Sequence, residues 1–155
     1  MTNASRLYFP ALGRIYQSWS PFAEWLLRAG LGAILIVHGL QKFMAWFSGA
    51  GIERTAALLE KFGYPAPVFW TYVIASLELF GGIALLIGFL VRPIAAAFVI
   101  FMLFAVHYTT SAGGHPFIWF RGGSEYSIVI GLIAFYYLIN GAGPWSADRR
   151  MRKEF

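Results

Sequence analysis

The sequence predicts an all-α fold, an integral membrane four-helix bundle. Two observations support this prediction: four apolar runs of roughly membrane-spanning length, and very little charge within them. Hydrophobic residues make up 59% of the 155-residue chain and charged residues only 12%, about half the charged fraction of a typical soluble protein. Since about 20 apolar residues suffice for one helix to cross a bilayer, residues 1–155 are expected to form a single transmembrane domain.

The four spans are predicted at about residues 22–44, 68–90, 94–110 and 126–139. Pro21 suits the first turn of the first span, because a proline there loses no helical hydrogen bond. Arg92 and Pro93 mark a tight reversal between the second and third spans. A Gly-rich loop with aromatic residues precedes the fourth span.

A short amphipathic helix is predicted in the connection between the first two spans, residues 45–66. Ile52, Ala56 and Leu59 recur at helical spacing with charged residues between them, which is typical of a helix lying on the membrane surface. Gly63 is expected to end this helix.

The distribution of lysine and arginine predicts the orientation. Basic residues gather near both termini and at Arg92, and they are fewer in the two longer connections. By the positive-inside rule, both termini are then cytoplasmic (N-in/C-in), residues 145–155 form a basic cytoplasmic tail, and the short helix lies in the first outward loop. The net charge of +5 therefore indicates contact with anionic lipid rather than with nucleic acid.

Several kinds of chemistry are excluded by composition and spacing. The chain has no cysteine, so it cannot itself form disulfides, thiolate metal sites or iron–sulfur clusters, and it cannot exchange thiols. Neither a metal-spaced ligand cluster, nor a Ser-His-Asp set, nor a phosphate-binding loop is present in the sequence.

Ionisable residues inside the apolar runs are the candidate functional residues. Glu78 lies near the middle of the second span, where an acid costs about 2.5–3.5 kcal/mol and usually faces a partner or a cavity. His38 and Lys42 are four residues apart and hence share one helix face. From the predicted depths, the candidates for a ligand or proton site in the outer half of the bundle are His38, Gln41, Lys42, Glu78, His107 and Glu125.

Three interpretations of these residues are open. They could line a polar pocket for a quinone, a proton or another small ligand, with His38 and His107 bonding quinone carbonyls and Glu78 exchanging protons. They could instead pair with one another and fix the helix register, with Arg28 and Arg92 as structural ion-pair candidates near the inner side. A haem held by two histidines is disfavoured, because two lone histidines on different helices are weak evidence.

Two long stretches of the sequence resemble the DoxX family of small four-helix bacterial membrane proteins. They read LLRAGLGAILIVHGLQKF and FGYPAPVFWTYVIASLELFGGIALLIGFLVRP. The resemblance covers about residues 22–150 and rests on Arg28, His38-Gly39, Gln41-Lys42, Gly63, Pro65, Glu78, Gly81-Gly82, Leu86, Gly88, Arg92, Gly141, Gly143, Ser146 and Asp148.

The resemblance implies a multi-pass protein of the bacterial inner membrane that serves as a subunit of a quinone-linked oxidoreductase system. A quinone is the implied cofactor. Because the sequence carries no flavin or iron–sulfur motif, a partner redox subunit would have to supply the electrons. Two alternatives stay open: a non-enzymatic membrane scaffold or partner-binding subunit, and a small transporter. A transporter would need a homo-oligomer, because four helices leave little room for alternating access.

Overall fold

The computed structural model describes residues 7–111, 117–118 and 123–152. Within these ranges the regular secondary structure is helical throughout and no strand occurs. Most of the predicted Gly-rich loop lies outside the described residues. The helices are α1 Gly13–Phe43 (after a 3-10 turn at Pro10–Leu12), α2 Gly51–Lys61, α3 Pro67–Ser76, a π-helical segment Leu77–Gly81, α4 Gly82–Ile87, α5 Val91–Ser111, α6 Glu125–Asn140 and α7 Ala147–Met151.

Three helical stretches are long and apolar enough to cross a membrane: Pro10–Phe43, Pro67–Ile87 and Val91–Ser111. The second of these joins α3, the π segment and α4 into one rod, which we name the second long helix. The apolar α6 is shorter, with 16 residues, or about 24 Å at 1.5 Å per residue. The prediction of an all-helical chain with membrane-spanning helices is therefore confirmed.

Helix α1 begins earlier than the sequence predicted, at Gly13 rather than near residue 22. Pro21 lies inside this helix, not in its first turn. A proline inside a helix removes one hydrogen bond and crowds the carbonyl four residues earlier, at a cost of about 3 kcal/mol. Helix α1 continues through Pro21 despite this cost. The residues of these extra turns from 14 to 20 are all exposed.

The reversal between the second and third long helices lies three residues earlier than predicted, at residues 88–90 instead of 91–93. Gly88, with a φ of +74°, ends α4 in the left-handed conformation that glycine adopts readily. Helix α5 then begins at Val91 rather than near residue 94. Pro93 falls in its first turn, where the N–H group it lacks would have had no helical partner.

The short helix between the first two long helices occurs where the sequence predicted it, as α2. It ends with the expected glycine: Gly63 has a φ of +74° and donates its N–H to the Glu60 carbonyl at 2.8 Å. The Tyr64 N–H donates to the Leu59 carbonyl at 3.1 Å and completes the cap.

Two glycine positions bring α1 into backbone contact with the second long helix. A Cβ atom on Gly32 would lie 2.6 Å from the Gly82 carbonyl oxygen, and one on Gly39 would lie 2.6 Å from the Leu79 nitrogen. Such distances leave no room for a side chain. As expected for helices in lipid, small residues here allow the backbones to approach closely.

The core lies between α1, the second long helix, α5 and α6. Its buried members include Leu35, Leu85, Phe98 and Ala134, and α5 packs along α6. Polar contacts between helices occur at two levels along α1, one around Arg28 and one around Lys42. We name these the Arg28 end and the Lys42 end.

Candidate functional site

Two side-chain pairs connect three helices at the Lys42 end. The Lys42 Nζ lies 2.6 Å from the Glu78 Oε2, which joins α1 to the second long helix. The His38 Nε2 and the Tyr126 hydroxyl share a hydrogen bond of 2.9 Å, which joins α1 to α6. His38 and Lys42 lie one helical turn apart, so the two pairs are neighbours.

The backbone around Glu78 positions its carboxylate toward α1. Glu78 lies in the π-helical segment Leu77–Gly81, and such segments occur frequently at functional sites. Gly39 lets the backbone at Leu79 approach α1 closely. As a result Glu78 reaches Lys42 although the residue itself is only 5% exposed. A buried carboxylate of this kind requires a cationic or hydrogen-bonding partner, and Lys42 is that partner.

The second pair is more open than the first. His38 is half-buried and Tyr126 is 39% exposed, and their ring centroids are 5.5 Å apart. His38 and Lys42 lie one turn apart on α1, and each is bonded to a side chain of another helix. The four side chains therefore form one connected group, which we name the four-residue cluster: His38, Lys42, Glu78 and Tyr126.

The other sequence-predicted candidates are Gln41, Glu125 and His107. The Gln41 Nε2 donates to the Phe47 carbonyl at 3.4 Å, in the chain that follows α1. Glu125 occupies the first turn of α6, half-buried, and its backbone N–H donates to the Phe117 carbonyl at 2.9 Å. His107 is exposed on α5.

His107 points away from the four-residue cluster. It lines a shallow apolar hollow together with Ile100, Leu103 and Phe104, which recur at helical spacing along one face of α5. The structure therefore does not bring His107 and His38 together.

Arg28 at the opposite end is fully buried and bonds to main-chain carbonyls. Its Nε donates to the Leu85 carbonyl at 3.1 Å and its Nη2 to the Trp145 carbonyl at 2.8 Å. Its Nη1 donates to the carbonyls of Ala142 and Pro144. The sequence suggested an ion pair for Arg28, but its described hydrogen bonds go to these carbonyls.

Asp148 closes the Arg28 end by accepting two backbone hydrogen bonds. Its Oδ1 accepts from the Leu90 N–H at 2.9 Å and its Oδ2 from the Val91 N–H at 3.0 Å. These N–H groups belong to the turn before α5 and to its first residue, where helical partners are missing. Arg92, the other predicted ion-pair candidate, is half-buried in the same turn of α5.

The predicted basic tail, residues 145–155, is thus folded over much of its described length. Ser146 and Asp148 are buried, and the Ser146 Oγ accepts from the Arg149 N–H at 3.3 Å to cap α7. The sequence prediction missed this folded segment because it considered only the positive charge of residues 145–155. Residues 153–155 lie outside the described part of the chain.

The two ends differ in what they can do chemically. Arginine stays protonated in proteins, and Arg28 is held by main-chain groups that do not titrate. The four-residue cluster contains an amine, a carboxylate, an imidazole and a phenol, each of which can donate or accept a proton. Among the described residues, no group of three or more His, Cys, Asp or Glu side chains is placed to hold a metal ion.

Sequence reasoning missed the role of Tyr126. Its partner His38 is far away in the sequence, and a tyrosine near a span end is usually explained by the interfacial aromatic belt. The available signal was the predicted depth of Tyr126, which follows Glu125 in the sequence and lies in the same outer part of the bundle as His38.

Comparison with known proteins gives one family and two relatives. The sequence profile of the DoxX family matches residues 23–111. The chain is 31% identical over 117 residues to “Putative oxidoreductase CatD” of Bacillus subtilis, covering 76% of this chain and 78% of the relative. It is 29% identical over 154 residues to “Uncharacterized membrane protein Rv3486” of Mycobacterium tuberculosis, covering 93% of this chain and 90% of the relative. No solved structure matches the chain significantly.

Proposed function

The chain belongs to the DoxX family, and from this premise we propose that it is the membrane subunit of a quinone-linked oxidoreductase system. The observation that carries the proposal is the Lys42–Glu78 pair at 2.6 Å beside the His38–Tyr126 pair at 2.9 Å. Proton-exchanging groups buried within membrane-spanning helices are costly and usually serve a function. The relative named as an oxidoreductase supports the same class of chemistry.

The four-residue cluster suits the proton side of quinone reduction. A quinone becomes a quinol by taking up two electrons and two protons. In the proposal, the His38 Nε2 and the Tyr126 hydroxyl hydrogen-bond to the quinone carbonyl oxygen from the more open side. Lys42 and Glu78 lie behind them and supply or accept protons. The electrons come from a partner subunit carrying a flavin or an iron–sulfur centre, because this chain has no cysteine to hold such a cluster.

The proposed placement is a bacterial inner membrane with both termini cytoplasmic. In this arrangement α6 serves as a fourth, shorter span, and the Lys42 end lies in the outer half of the membrane. The Arg28 end then lies near the cytoplasmic face, where the exposed Arg149 and Arg150 of α7 meet anionic headgroups.

The test is quinone binding to the purified protein in mild detergent. Ubiquinone and menaquinone analogues would be titrated while tryptophan fluorescence is followed. We expect saturable binding that His38→Ala and Glu78→Gln each weaken by at least tenfold. His107→Ala is the matched control, because this histidine lies on the apolar face of α5, and it should bind as the parent does. No binding, or equal binding by all variants, would refute the proposal.

A non-enzymatic scaffold is the second candidate. The observation that favours it is that Lys42 and Glu78 already satisfy one another, as a purely structural pair would. The scaffold predicts that Glu78→Gln changes folded yield or partner recovery while quinone binding is absent from the parent as well. The same titration therefore separates the two candidates.

A further inference from the structure

Helices α1 and α6 lie side by side and are clasped at two levels. At the Lys42 end, His38 shares a hydrogen bond with Tyr126. At the other level, the Tyr137 hydroxyl donates to the Glu24 carbonyl. The later residue of α1 meets the earlier residue of α6, so the two helices run in opposite directions. The clasps are about 21 Å apart along α1 at 1.5 Å per residue.

His38 lies at the edge of the buried face of α1. At 100° per residue, the buried Leu31 and Leu35 lie within about 60° of His38 on one side of the helix. The exposed Ile34 and Val37 lie within about 100° of it on the other side. The imidazole therefore stands where the interior of the bundle meets its outer surface.

Tyr126 has the corresponding position on α6. The buried Ile130 and Tyr137 lie within about 40° of it on one side, and the exposed Val129 and Tyr136 within about 80° on the other. Seen from one end, antiparallel helices turn in opposite senses, so the exposed sides of α1 and α6 face the same way. The hydrogen-bonded pair at the Lys42 end therefore lies on an outward-facing line of contact between the two helices.

We name this line of contact the α1–α6 seam and define it by the exposed Leu27 and Ile34 of α1 with Val129 and Tyr136 of α6. Gly30 leaves open space along it, because a Cβ atom placed there would meet nothing within 4 Å. The seam is largely apolar, and it ends in a polar pair at the Lys42 end. Small-molecule sites commonly combine an apolar lining with a few such polar groups.

Helix α2 lies across the same end of the bundle. Before α2 the chain returns onto α1, since a side chain at Gly49 would collide with the main chain of Gln41. After α2 the Phe62 ring packs on the Tyr108 ring of α5, with centroids 4.1 Å apart. Between these points α2 packs against α3 and buries Ala56. A ligand approaching the four-residue cluster from beyond the end of α1 must therefore pass α2.

The accessible pair favours a neutral polar head over a charged one. The Lys42 cation is already bonded to Glu78 at 2.6 Å. A phosphate headgroup binds best to a cation that has no such counter-ion. The imidazole of His38 and the hydroxyl of Tyr126 each can donate or accept a hydrogen bond, which suits a carbonyl or hydroxyl oxygen.

We propose that the four-residue cluster takes its ligand sideways from the lipid through the α1–α6 seam, and that this ligand has a neutral hydrogen-bonding head and an apolar tail. The head lies against His38 and Tyr126. The tail lies along Ile34 and over Gly30, which is about 12 Å from His38 along α1. This inference rests on the proposed function, because it takes the cluster to be a quinone site.

Two covalent locks distinguish the lateral route from a route past α2, in a chain that contains no cysteine of its own. The seam lock joins Ile34→Cys to Val129→Cys, each about one turn inside the clasp at the Lys42 end. The end lock joins Phe62→Cys to Tyr108→Cys across the ring contact after α2. A membrane-permeant bis-methanethiosulfonate closes each lock in the purified protein. A reducing agent opens it again, so each variant is its own folding control.

The probe is decylubiquinone, titrated while tryptophan fluorescence is followed. We expect the closed seam lock to weaken binding by about tenfold or more, reversibly, because it fills the place of the tail. The closed end lock should leave the affinity within about twofold of the parent. Loss of binding on closing the end lock, or a seam lock without effect, would overturn the lateral route while the quinone site remained. If the parent and the open variants bind no quinone, the proposed function fails as well.

The position of the tail can be mapped on the parent protein, without any substitution. A decylubiquinone analogue with a diazirine at the end of its tail would be irradiated in the complex, and the adducts located by peptide mass spectrometry. We expect adducts on Leu27, Gly30 and Tyr136 that excess decylubiquinone removes. Adducts that the competitor leaves unchanged, or competed adducts on α2 in place of the seam, would contradict this placement.

Discussion

Removing both members of the Lys42–Glu78 pair should cost less than the sum of the two single changes. Lys42→Met leaves the Glu78 carboxylate buried without its cation, since this residue is only 5% exposed. Breaking a buried pair in this way costs about 3–5 kcal/mol. The Lys42 side chain is 20% exposed, so some water remains available and we expect a cost near the lower end, about 3 kcal/mol.

The double variant Lys42→Met/Glu78→Gln removes both charges and should cost about 2 kcal/mol less than the sum of the single changes. This magnitude is diagnostic. Hydrogen bonds between membrane helices couple by about 0.6 kcal/mol on average and by no more than about 1.7 kcal/mol. A coupling of about 2 kcal/mol would therefore indicate an ion pair, and a smaller one a neutral bond.

The assay is reversible unfolding in mixed micelles with increasing dodecyl sulfate, followed by tryptophan fluorescence. The matched control is a double-mutant cycle of His38→Phe and Tyr126→Phe. This pair is more exposed than Lys42–Glu78 and carries no charge when the imidazole is neutral. Its coupling energy should therefore be about 0.6 kcal/mol. If the Lys42 and Glu78 changes proved additive, the charge pair would not exist in the folded protein. The argument for a proton site at this end would then lose its foundation.

Two further predictions concern packing rather than chemistry. Arg28→Lys keeps the positive charge, but a lysine cannot bond to the carbonyls of Leu85 and Trp145 together. We therefore expect the free energy of unfolding to fall by about 2–4 kcal/mol in the same assay. A fall of less than about 1 kcal/mol would contradict the bonding described. Gly32→Ala should lower the free energy of unfolding by about 1–3 kcal/mol, because the added methyl group forces two backbones apart. Gly30→Ala should leave it unchanged or raise it by up to about 1 kcal/mol. Equal effects at both glycines would show that the close approach at Gly32 is absent.

Depth along the membrane could be predicted from the sequence, and rotation about each helix axis could not. Apolar run lengths and the rise per residue placed His38, Lys42 and Glu78 in the outer half of the bundle, and the structure joins Lys42 to Glu78. The same reasoning placed His107 at that level, yet it faces away from the cluster. Helix α5 is apolar on nearly every side, so its sequence has little periodicity to show which face lies inward.

The sequence also could not predict which charged side chains bond to main-chain groups. Arg28 and Asp148 were visible as part of a family resemblance, but an arginine in an apolar run suggests a carboxylate partner. In the structure the guanidinium meets carbonyls, and the carboxylate meets the N–H groups of Leu90 and Val91. Which backbone groups lack helical partners depends on where each helix ends, and helix ends are the least certain part of a sequence prediction.

The proposed site lies at the Lys42 end because the two ends differ in how their polar groups are bonded. At the Arg28 end, each described polar contact of Arg28 and Asp148 joins a side chain to the main chain, and such a bond can break only if the fold opens. At the Lys42 end, side chains bond to side chains, and those of His38 and Tyr126 remain accessible. A ligand arriving there could replace one partner without disturbing any helix. Hence a change at Arg28 should lower the free energy of unfolding, whereas a change at His38 should alter ligand binding first.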